Sequence, residues 1–208
     1  MARQMKNVRA AGQNLANLGG VAIRQRSVGE ITWTATQAAT ATTTAVHAAA
    51  ACSASADQTF TTSITNPSCA RNITATTTGT SGDVKAVSVT INGTNINGET
   101  ISESIGPFQV NTNETITGSK AFYTVTSYVV PQMDGTGCNV SIGVGDKLGL
   151  PAKFSRNPVL RAFLANTLEG TAPTVAVSST AYESNTVDLN SALNGTAVIV
   201  ELVDQTPA

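Results

Sequence analysis

Between Asp83 and Val144 the chain alternates β-branched and polar residues and interrupts the alternation with glycine turns, a pattern that fits antiparallel β-structure and little else. Val87, Val89 and Ile91 alternate with Ser88 and Thr90, the period of two of a half-buried strand. Asn92–Gly93 and Asn97–Gly98 are hairpin signals. Further strands are expected over Thr100–Ile105, Ala121–Val130 and Cys138–Val144, with Asp134–Gly135 turning the third into the fourth. Phe122, Tyr123, Val125, Tyr128, Val129 and Val130 place apolar groups on both faces, which predicts a central strand covered on both sides.

The rest of the chain carries the same signature at lower density. Arg71–Thr78 reads as a strand with Ile73 and Ala75 on one face, and Phe108 with Val110 as a strand resumed after Gly106–Pro107. Thr174–Ser178, Thr186–Leu189 and Ala197–Val203 read as the last strands, the final one apolar enough for burial on both faces. Aromatic residues are 4% of the 208, so the core must be built from Val, Ile, Leu and Ala. Threonine occurs 32 times and suits a pleated surface. The expected fold class is all-β: an antiparallel β-sandwich or jelly-roll-like domain with an extended or short-helical N-terminal arm. The arm is assigned to residues 1–35 and the β domain to 36–208, with a division into two packed parts near residue 150 left open.

Charge separates the two parts. Residues 1–29 hold Arg3, Lys6, Arg9, Arg24 and Arg26 and no acid, +5, against −6 for the remainder, which gives the net charge of −1. Met5, Val8, Ala11, Leu15 and Leu18 fall near one face of a helical segment that Gly19–Gly20 would end. The expectation is a basic arm that orders against an acidic partner surface, with a helix packed on its own domain as the alternative. Trp33, the only tryptophan, is a core anchor by default and an interface anchor in the sharper reading. The partner-binding candidates are therefore Arg3, Lys6, Arg9, Arg24, Arg26 and Trp33.

Nothing in the sequence assembles a catalytic, cofactor or metal site, and none is assigned. Cys52, Cys69 and Cys138 are odd in number and lack C-x-x-C spacing, which argues against zinc. A Cys69–Cys138 disulfide stays open, with reduced thiols the expectation for a protein folded in a cytosol. His47 has no carboxylate or cysteine nearby, and no nucleophile elbow accompanies it, so an enzyme is not expected. Gly145-Asp-Lys-Leu-Gly149 is not a P-loop: Leu148 follows Lys147 where Ser or Thr is required, and Pro151 blocks a helix, so a corner leaving the sheet is expected. Lys153, Arg156 and Arg161 among Phe154 and Phe163 are too few to indicate nucleic acid, which is not an expected partner. No apolar run is long enough to span a membrane and no apolar h-region opens the chain, so neither membrane insertion nor export by its own signal is expected.

From about Asn66 onward the order of motifs adds a resemblance. Asn66-Pro67, Ala70–Thr76, the Ser81–Lys85 turn, Asn97–Ile101, Gly118–Phe122, Gly145–Pro151, Asp188–Asn190 and Leu193–Thr196 follow one another as they do in a group of uncharacterised structural proteins of tailed bacteriophages and prophages, which this chain resembles over roughly two-thirds of its length. The resemblance implies a virion component, made in the host cytoplasm; the decoration reading would place it on the capsid surface. A head-decoration (cement) protein fits best: it binds the major capsid protein lattice and neighbouring copies of itself, with a trimer around a capsid symmetry axis as one expectation. A tail-tube or head-fibre protein and a carbohydrate-binding adhesin module are the alternatives.

Overall fold

The computed structural model describes residues 28–203, and within them the protein is all-β, with antiparallel sheets packed in a sandwich-like arrangement. Fourteen strands run in chain order: β1 (Val28–Trp33), β2 (Thr42–Ala51), β3 (Gln58–Phe60), β4 (Arg71–Gly79), β5 (Val89–Thr94), β6 (Thr100–Ile105), β7 (Thr115–Phe122), β8 (Thr124–Val130), β9 (Cys138–Gly149), β10 (Val159–Leu164), β11 (Thr167–Leu168), β12 (Thr174–Ala176), β13 (Thr186–Asp188) and β14 (Val198–Val203). They form a front sheet ordered β3-β8-β5-β6, a central sheet ordered β12-β13-β9-β4-β7 with β2 also paired to β9, and an end sheet ordered β1-β14-β10-β11.

Two apolar cores follow from this layering. The first lies between the front and central sheets and takes Val89, Ile91, Tyr128 and Val130 from one side and Ile73, Ala75, Val140 and Ile142 from the other. The second joins the end sheet to the far part of the central sheet through Trp33, Val198, Val200, Leu148, Leu150 and Val187. As the composition requires, both are mainly aliphatic. Removing a large side chain from either, as in Ile73→Ala, leaves a cavity of the kind that costs about 2–5 kcal/mol. Strand β9 is long enough to supply both cores: Val140 and Ile142 belong to the first and Leu148 to the second.

Several expectations are corrected by long-range pairing. Asn92–Gly93 is no turn; β5 runs through it to Thr94, and only Asn97–Gly98 reverses the chain, with Gly98 at φ +80°. Ala121–Val130 is not one strand. The chain leaves the central sheet at Phe122 and enters the front sheet at Thr124, and β8 buries Val125, Tyr128 and Val130 while Tyr123 is exposed. Phe108 is buried, but in a loop rather than a strand. The segment Gly145–Gly149 does not leave the sheet: it continues β9. β14 alternates between more and less buried positions, so it is covered fully on one face only. The arm expected over residues 1–35 overlaps a structural element, because Val28–Trp33 pairs in register with β14, Trp33 opposite Val198.

Candidate functional site

Three irregularities of pairing converge around three consecutive residues of β4, Asn72, Ile73 and Thr74. Opposite Asn72, β9 spends three residues, Gly145, Asp146 and Lys147, because the register passes from Arg71↔Leu148 to Ile73↔Val144. Opposite Ile73, β7 spends Gly118, Ser119 and Lys120. On the other side of β9, residues 43–46 of β2 face the single Gly143. Bulges of this kind re-aim side chains and free polar groups from the ladder. Here they open a pocket of about 340 Å³ walled by β2, β4, β7, β9 and β13.

The bulged backbone would leave unpaired donors and acceptors, and specific side chains satisfy them. Asn72 is fully buried; its Nδ2 donates to the carbonyl of Gly118 at 3.1 Å and its Oδ1 accepts from the amide of Lys147 at 3.0 Å, so one amide group serves both bulges. Glu103, reaching from β6, accepts from the amide and the hydroxyl of Ser119, each at 2.7 Å, and so ties the edge of the front sheet to β7. Arg71 is 1% exposed and donates through Nε to the Gly145 carbonyl at 2.9 Å and through Nη1 to the Ala39 carbonyl at 2.7 Å. Glycine is needed at the crossings: a Cβ on Gly143 would lie 2.1 Å from the Thr42 carbonyl oxygen, and one on Gly145 would lie 2.5 Å from the Asn72 amide nitrogen.

What faces the pocket is polar and mixed in charge. Thr42, Thr43, Thr74, Thr115 and Thr117 bring hydroxyls; Asp146, Lys147 and Asp188 bring charges; Ala41 and Val144 supply apolar wall. Two of these groups are short of partners. The Thr74 hydroxyl, on a residue 5% exposed, makes no hydrogen bond, and neither does Oδ1 of Asp146. That Asp146 oxygen sits 3.7 Å from Nη2 of Arg71, an ion pair without hydrogen-bond contact. Burial pushes the Asp188 carboxyl above its usual range, Lys147 pulls it back, and Asp146 adds to the rise, so the three groups share one electrostatic neighbourhood.

Trp33 lies in the second core at 5% exposure, so the surface it offers a partner is small and the default of a core anchor describes it. Arg3, Lys6, Arg9, Arg24 and Arg26 lie outside the described residues. His47 is part of an aromatic group: Phe60 stacks on Tyr128 with centroids 4.6 Å apart, and the Tyr128 hydroxyl lies 2.8 Å from Nδ1 of His47. All three cysteines are free and buried, with Cys69 in the second core and Cys138 in the first. Cys138 instead lies beside Cys52, whose amide donates to its carbonyl at 3.0 Å. Burial pushes the Cys69 thiol up to about 11, with Arg71 opposing. Among the described residues, no three His, Cys, Asp or Glu side chains are grouped to hold a metal ion.

Sequence reasoning did not find Asn72, Thr74, Asp146 and Asp188 as a group. The available signal was glycine inside strand-like segments, at Gly118, Gly143 and Gly145, which marks bulges and close backbone approach. Comparison of the chain with protein-family models, curated proteins and solved structures finds no match.

Proposed function

We propose that the protein is a non-enzymatic structural component of a tailed-phage virion, a capsid decoration protein that binds and stabilises the major capsid protein lattice. The observation that carries this reading is the separation of charge along the chain. Residues 1–27 contain five basic residues and no acid, whereas residues 28–203 contain seven basic and twelve acidic residues. A cationic segment joined in sequence to an acidic β body suits a protein that lays the segment across one surface and holds the body off it by charge.

The end sheet supports the same orientation. Val28, Leu160 and Leu168 are more than half exposed and lie on β1, β10 and β11, all strands of the end sheet, and β1 follows the basic segment in sequence. Exposed apolar side chains gathered on one sheet favour a contact there. A specific interface of about 1,000–2,000 Å² per copy, repeated over a lattice and reinforced by a segment that orders on binding, stabilises a shell additively. The resemblance of the motif order from Asn66 onward to phage structural proteins supplies the choice of virion over other assemblies.

Co-sedimentation with undecorated capsids, with isolated tails as control, tests the proposal. Saturable binding to heads is expected, and a protein lacking residues 1–27 should lose it while keeping the far-ultraviolet β spectrum. The cut belongs before Val28, since a longer one removes β1. Binding to tails alone would favour a tail-tube role, and binding to neither would remove the virion-surface reading.

A further inference from the structure

We infer that the pocket over β4 is a binding site for a neutral polyhydroxylated ligand, of the class of a hexose unit. The inference stands apart from the decoration role, because it concerns the described body alone and can fail or hold without capsids.

A buried hydroxyl without a partner costs free energy unless something in the cavity supplies one. Thr74, a residue of the pocket lining, carries such a hydroxyl, while the unpartnered Oδ1 of Asp146 faces Arg71 at 3.7 Å. The bulge at Gly145–Lys147 brings Asp146 beside Arg71 and onto the pocket wall instead of leaving it in a regular ladder.

Charge then narrows the ligand. Asp146 and Asp188 carry two negative charges, and Lys147 with the buried Arg71 carries two positive ones. The balance gives no net field to select a phosphate or a cation. Hydrogen-bonding capacity is instead high and of both kinds. Carboxylates accept, the Lys147 ammonium donates, and threonine hydroxyls do either. A molecule that meets such a set has several hydroxyls, each donor and acceptor at once. Ala41 and Val144 offer a small apolar wall for its C–H face. The volume of about 340 Å³ falls at the small end of ligand pockets, room for a single ring and not for an extended chain.

The test uses the full chain, labelled with ¹⁵N, titrated separately with D-glucose, D-galactose and N-acetyl-D-glucosamine to about 100 mM, with calcium chloride and sodium phosphate alone as further arms. At least one sugar should shift the amides of Thr74 and of residues 145–147 saturably. Thr74→Val, which keeps the shape of the side chain, and Asp188→Asn should each weaken that binding by about tenfold, with thermal melts confirming that both variants fold. Three results overturn the inference: no saturable shift with any sugar, shifts that map away from the pocket, or saturation of the same amides by calcium or phosphate alone. If a variant does not fold, the wild-type shift map decides by itself.

Discussion

Arg71 is a nearly inaccessible cation whose guanidinium is committed to backbone carbonyls on two different segments, Gly145 on β9 and Ala39 ahead of β2. Burial lowers its proton affinity, while Cys69 and Asp146 raise it, and the group stays charged in any accessible pH range. Arg71→Ala would strand both carbonyls and leave Asp146 without its counter-charge. The expected loss is about 3 kcal/mol. For a chain of this size, that lowers Tm by roughly 6–12 °C in calorimetry. Arg71→Lys should recover only part of the loss, because an ammonium cannot span both acceptors as the planar fork does. A melting temperature for Arg71→Ala within a degree of the wild type would show that these bonds are replaced by water without cost.

Among the elements, β5 gives the sharpest contrast between local signal and tertiary outcome. Asn-Gly at Asn92–Gly93 has the composition of a hairpin turn, yet it lies mid-strand, where the pairing with β8 shifts register: Asn92 faces Ser127 and Gly93 faces Val125. A Cβ at Gly93 would sit 1.9 Å from the Thr124 carbonyl oxygen, so Gly93→Ala must push two strands apart, at about 3 kcal/mol. Gly98 turns the chain at φ +80° with open space around it, so Gly98→Ala should cost only about 1 kcal/mol of backbone strain. Urea denaturation of the two variants should place Gly93→Ala as the weaker protein; the reverse order is what a turn at residues 92–93 would give. The same distinction explains what could be read in advance. Thr100–Ile105 and the β4 segment were legible because alternation and flanking turns are local properties, and both match the observed strands closely. The change of sheet at Tyr123 was not, since it depends on the Tyr123 amide donating to Thr94 and the Val125 amide donating to Asn66. The pocket was equally hidden: Asn72, Gly118 and Lys147 meet only through register shifts between strands far apart in sequence.

At the scale of the whole molecule, the question is whether two cores make two folding units. The end sheet is assembled from both ends of the described chain, β1 with β14, and its core holds the only tryptophan, Trp33. The first core holds none, so tryptophan fluorescence reports the second core alone, whereas far-ultraviolet circular dichroism reports all three sheets. Strand β9 runs through both, paired along β4 from Cys138 opposite Gly79 to Leu148 opposite Arg71, and Arg71 fastens the point where the strand passes from one core to the other. Losing the second core would remove the packing of Leu148 and the support of the bulge at Gly145–Lys147, which in turn frees β4 from β9 at its start. The two cores should therefore unfold together: fluorescence and circular dichroism traces are expected to superimpose in urea, with one midpoint. An earlier fluorescence transition would mean that the end sheet opens while the sandwich stays closed. It would also shift the site of cooperation from β9 to the front and central sheets alone, and would leave Arg71 as a brace within one unit instead of a link between two.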